Sequence, residues 1–109
     1  MTEAFTARAV FAAAAGGDPL AAAVVAQETR LAAHAICCVI TVVDPSLIVL
    51  GGGIGQAPGF VDEVTAALSS VAPVMPKIRV SALGTDAVVD GCLAESASLA
   101  WTQLIAALP

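Results

Sequence analysis

Large anchoring side chains are what this sequence has least of. It holds no tyrosine, one tryptophan (Trp101) and three phenylalanines in 109 residues, so its core must rest on many small contacts instead of a few aromatic ones. Positive charge is nearly as scarce: Lys and Arg number 4 against 9 Asp and Glu, for a formal net charge of −5. Gripping a phosphate backbone needs clustered Lys and Arg, which argues against this stretch as a nucleic-acid surface. The mild acidic balance serves solubility. The cysteines Cys37, Cys38 and Cys92 are odd in number and lack zinc-ligand spacing. They are expected as small hydrophobic core fillers in a reducing cytoplasm. No basic stretch and apolar run follow Met1, so no secretory signal is read. The most membrane-like run, residues 31–43, is shorter than the ~20 residues a spanning helix needs and contains His34. It is expected as a buried central helix, with no membrane partner.

What is present in excess is alanine. Apolar residues reach 59%, against roughly 45–50% in ordinary soluble domains. Alanine loses no side-chain entropy on entering a helix, so the expected picture is close-packed helices with small residues at their contacts. The length suits one small domain.

The punctuation divides the chain into six elements. A first helix is expected over 6–15, capped by Thr6, with Val10 and Phe11 as its contacts and Gly16-Gly17 as its stop. Asp18-Pro19 opens a long helix over 19–43, Asp capping the free N–H groups and Pro sitting where its missing donor is harmless. Gln27, Arg30, His34 and Thr41 form one narrow polar stripe on it. A helix so apolar elsewhere is expected to be sandwiched. Asp44-Pro45 ends it. Residues 46–51 read as a strand buried on both faces. Four glycines in 51–55 follow as a loop. A helix over 58–72 presents Val61, Val64, Leu68 and Val71, with Asp62 and Glu63 in its first turn. A strand over 77–83 alternates Ile78, Val80 and Ala82 against Arg79 and Ser81 and breaks at Gly84. Asp86 caps a last helix over 86–108, whose expected buried face is Val89, Leu93, Ala97, Ala100 and Leu104; Gly91 within it suggests close approach by a backbone or a ligand.

Strand, helix, strand with this spacing implies a parallel pair. Two strands make a poor sheet, since three or more are normally needed for independent stability. The remaining neighbours are therefore expected from further sequence, another chain or a partner. This physical deficit stands without any family knowledge.

The run VVDPSLIVLGGGIG, residues 42–55, resembles the C-terminal signature of the ROK family of sugar-responsive repressors and sugar kinases. Upstream, TARAVFAAAAGGDPLAAAVV is similar to the helix pair that precedes the signature. Downstream, KIRVSALGTDAVVDGCLAES is similar to the family's closing strand and helix, although Gly91-Cys92 stands where the family usually has "GA". The resemblance covers about residues 6–104. It implies the later part of the C-terminal lobe of an actin-like, ribonuclease-H-like α/β fold: two parallel strands, about four helices and an incomplete sheet, with three antiparallel strands supplied elsewhere. It also implies a catalytic Asp in an "N-D" segment, an Asp-Gly phosphate loop and a His/Cys zinc cluster ahead of this region. None matches here: no Asn precedes any Asp, no CxC or CxxC occurs, and Asp90-Gly91 lies inside the last helix.

Candidate sites are correspondingly few. Gly51, Gly52 and Gly53 are the best, because glycines after a parallel strand let backbone approach a ligand. The resemblance implies that they line the adenosine side of an ATP site; the competing reading is a tight turn kept for packing. His34 reads as a satisfied helix-face histidine and Arg30 as part of a solvated stripe. Asp86 and Asp90 sit four apart, but a cap accounts for Asp86 without acid–base chemistry. Ser46, Ser69 and Ser81 have no His–Asp grouping in view. No catalytic residue, metal ligand or cofactor is assigned to this chain itself; ATP and Mg enter only if the whole protein is a kinase. The wording of VSALGTDAVVDG and DPLAAAVV favours a segment of a transcriptional regulator, non-catalytic by itself. The alternative is a segment of a glucokinase-like, ATP-dependent sugar kinase. A third reading is a short protein that pairs with itself. Expected partners are a second copy or the remainder of a longer chain, with sugar and DNA reached only through other segments.

Overall fold

The computed structural model describes residues 6–108. The order is α1 (Ala7–Ala15), α2 (Pro19–Val43), β1 (Leu47–Leu50), α3 (Gly52–Gly55), α4 (Phe60–Ser69), β2 (Lys77–Val80), a 3-10 turn (Gly84–Asp86) and α5 (Ala87–Ala106). The class is α/β, and β1 pairs with β2 in parallel, Leu47 opposite Lys77 and Leu50 opposite Val80. Five α-helices stand among the described residues where four were expected, because the glycine run coils into the short α3 instead of forming an open loop.

Local chemistry accounts for the boundaries. Thr6 Oγ1 accepts from the Ala9 N–H at 3.2 Å and starts α1. Asp18 accepts from the N–H groups of Leu20 and Ala21, both at 2.9 Å, and starts α2 with Pro19 in its first turn. Asp44 turns left-handed at φ 47° and closes α2 ahead of Pro45.

The core lies on one side of the two-stranded sheet. Ala33 and Ile40 of α2 meet Leu68 of α4, with Ile36, Cys37, Ala67, Ile48 of β1 and Ile78 of β2 around them. Leu68 and Val64 have no exposed surface. Farther along, Phe11 of α1 meets Phe60 of α4 edge-on, with centroids 5.6 Å apart. Thr29, the one buried polar side chain among the described residues, donates to Glu63 at 3.3 Å and ties α2 to α4.

Several expectations fail here, those on burial because, among the described residues, a single layer of helices covers the sheet. Leu47 and Val49 are exposed, so β1 is buried on one face instead of both. α2 is not sandwiched. It buries the stripe Ala21, Val25, Thr29, Ala33 and Ile40, while Leu20, Val24, Leu31 and Val42 face solvent. α2 as a whole, unlike residues 31–43 alone, is long and apolar enough to cross a membrane by length and composition. α4 starts after Gly59 and buries Phe60, Val64 and Leu68; Val71 is exposed. β2 ends at Val80, because Leu83 N–H bonds back to Ser81 Oγ at 3.2 Å and begins a turn. α5 buries nothing: Leu93 is 64% and Trp101 65% exposed. Asp86 stands at its N-cap position without a side-chain bond, the chain entering through the 3-10 turn instead. Cys38 and Cys92 are exposed and do not fill the core as expected, whereas Cys37 is partly buried and packs against it.

Candidate functional site

The four glycines between 51 and 55 do different work. Gly52 has φ +74°, a conformation L side chains rarely adopt. Gly55 is buried, and a Cβ there would sit 3.0 Å from the carbonyl carbon of Leu50, so α3 can fold back on the end of β1 only without one. A Cβ on Gly51 would meet Ser81 Cβ at an ordinary 3.7 Å. Gly53 answers to neither demand: it lies within α3, and a Cβ on it would meet nothing within 4 Å.

That open space belongs to a groove of about 750 Å³ between α1, α3 and the 3-10 turn, a volume within the range of small-molecule sites, roughly 300–1,000 Å³. One wall is Ala7, Arg8, Phe11, Ala12 and Ala15 of α1, reached from Thr6; the other is Gly53, Ile54, Gln56, Ala57 and Pro58, with Thr85 at the end. Of the predicted glycines, the structure puts Gly53 in the groove, while Gly51 and Gly52 set up the turn behind it. Sequence reasoning missed α1 as the opposing wall, Thr85 and Gln56. Gln56 is partly buried, and its Nε2 is sealed from solvent with no hydrogen-bond partner. No sequence signal marks it, since the groove forms only when α1 folds over α3.

The other candidates resolve as structural. His34 Nδ1 lies 2.7 Å from the Arg30 carbonyl, and Arg30 donates to Gln27 Oε1 at 2.8 Å on an exposed helix face. Ser69 donates to the Ala66 carbonyl and Ser81 accepts within its own turn. Gly91 is exposed, and a Cβ there would meet nothing within 4 Å, so no close approach occurs at that position. Among the described residues no three His, Cys, Asp or Glu side chains gather as a metal site would require. A second cleft of about 330 Å³ lies beyond Phe11, but its one carboxylate, Glu63, is held by Thr29.

The ROK family model matches residues 1–96. The chain belongs to the ROK family. Among curated proteins it is 42% identical over 86 residues to the bifunctional enzyme NanE/NanK of Brucella melitensis, covering 78% of this chain and 17% of that protein. It is equally similar to the bifunctional enzyme NanE/NanK of Brucella suis, there covering 16% of the relative. The ROK segment described here thus spans about a sixth of the length of these relatives. No solved structure matches it.

Proposed function

We propose that this chain is the nucleotide-side segment of an ATP-dependent ROK sugar kinase, part of a cytoplasmic protein with an actin-like, ribonuclease-H-like fold. The observation that carries the reading is the groove beside Gly53, where the family's glycine run meets open space large enough for a ligand. The residues fit an adenosine moiety: apolar walls from Phe11, Ala12 and Ile54, backbone left bare at Gly53, and an unused amide donor at Gln56. The two curated relatives are both named as enzymes, which favours the kinase branch over the regulator branch that the wording of the closing strand and helix suggests.

In this reading ATP with Mg supplies the phosphoryl group for a sugar hydroxyl. This chain binds and orients the adenosine end. Among the described residues that line the groove only Arg8 is charged, and it can face the phosphates. The base that takes the sugar hydroxyl's proton, and the sugar contacts, lie on other residues of the kinase. Adding ATP to the full chain should slow amide exchange across residues 51–55, read by hydrogen–deuterium exchange. Unchanged exchange there at saturating ATP would remove the reading.

A further inference from the structure

We infer that Gln56 reads the adenine ring in this groove and sets a preference for ATP over GTP. The inference rests on the kinase reading above and adds a specificity residue to it. It starts from an uncompensated cost in the free protein: Nε2 of Gln56 is sealed from solvent and bonded to nothing. A buried amide without an acceptor is destabilising, and such groups are uncommon in folded proteins. Gln56 follows α3 directly and lines the groove with Phe11, Gly53, Ile54 and Thr85.

Few other groove side chains can recognise a base. The Thr6 hydroxyl already accepts from Ala9. Arg8 is donor-only, which suits phosphate or the paired acceptors of guanine. A carboxamide donates and accepts side by side, which matches the N7 acceptor and N6 donor of adenine and mismatches the two acceptors on that edge of guanine. The terminal torsion of glutamine is soft, so the amide can turn its N–H₂ toward a ring without backbone movement. The apolar surfaces of Phe11 and Ile54 complete a slot for a flat, largely apolar ring.

The test compares binding of ATP, GTP and inorganic tripolyphosphate to the full chain and to Gln56→Met. The wild type should prefer ATP over GTP about tenfold, the size of one good bidentate contact. In Q56M that preference should vanish, tripolyphosphate binding should be unchanged, and the thermal midpoint without ligand should not fall, because an unpaired buried donor has been removed. Gln56→Glu keeps the shape but is acceptor-only. It still accepts from the adenine N6 amine and loses the donor to N7, while both of its oxygens face acceptors on guanine, so Q56E should bind both nucleotides more weakly and still favour ATP. A preference retained in Q56M, or reversed toward GTP in Q56E, overturns the role of Gln56 and leaves the kinase reading intact. Loss of tripolyphosphate binding together with ATP binding in Q56M also overturns it, since the residue would then be holding the groove's shape. If the wild type binds no ATP, the kinase reading itself fails, a result visible before any variant is made.

Discussion

At the scale of single residues, the glycine run separates architecture from opportunity. Gly55 is required by contact, its missing Cβ making room for the Leu50 carbonyl carbon at 3.0 Å. No contact among the described residues requires Gly53. Gly55→Ala should therefore destabilise the fold by about 1–3 kcal/mol, the range for overpacking a tight site, read as a lowered denaturation midpoint. Gly53→Ala should leave stability within about 1 kcal/mol and still weaken ATP binding, because a methyl group would stand where the nucleotide approaches. Wild-type ATP affinity in G53A would return the glycine run to a purely structural role. The sequence marks the run as special, but it does not distinguish its members. That distinction depends on which glycine faces β1 and which faces α1.

At the scale of elements, helix starts are the most legible feature, because capping is local chemistry. The Asp18 carboxylate holds two N–H groups at 2.9 Å. Asp18→Ala should cost about 1 kcal/mol and speed amide exchange at Leu20 and Ala21 roughly fivefold; unchanged exchange there would show that Pro19 alone fixes the turn. Buried faces are less legible, since periodicity shows that a helix has an apolar side without showing whether anything covers it. The spacing in α4 correctly names Val64 and Leu68, but the contact with Phe11 draws in Phe60 and the chain's exit leaves Val71 in solvent. α5 is the limiting case. Its length and apolar character are evident from sequence, yet no described element meets the face on which Val89, Leu93 and Leu104 lie.

At the scale of the whole molecule, shape repeats what the exposed faces say. The radius of gyration is 18.8 Å and the extents are 66 × 46 × 18 Å, where a compact chain of this length would have a radius near ~13 Å. Its accessible surface is 7867 Å², roughly 2,400 Å² more than a folded monomer of the same mass exposes. Much of the excess is apolar: the outer face of β1, the back of α2 and the length of α5. Purified alone, the chain should self-associate or bind apolar dyes, as exposed contiguous apolar surface does. Light scattering after size exclusion should report a mass above the 10.7 kDa of one chain. A monodisperse monomer with one sharp unfolding transition would contradict this.

Composition, caps and the order of elements come from the sequence alone, because each is decided by neighbours a few residues apart: a carboxylate before a proline, a β-rich run before glycines, alanine in long helices. The same local logic carries the parallel pairing and the warning that two strands are too few. The tertiary structure alone decided that one layer covers the sheet, that α5 stands free, and that a groove opens between α1 and α3. Only there does Gly53 part company with its neighbours and does Gln56 acquire an unpaired donor. Those outcomes depend on contacts between residues far apart in the chain, such as Ala33 with Leu68 and Phe11 with Phe60, which no local pattern encodes.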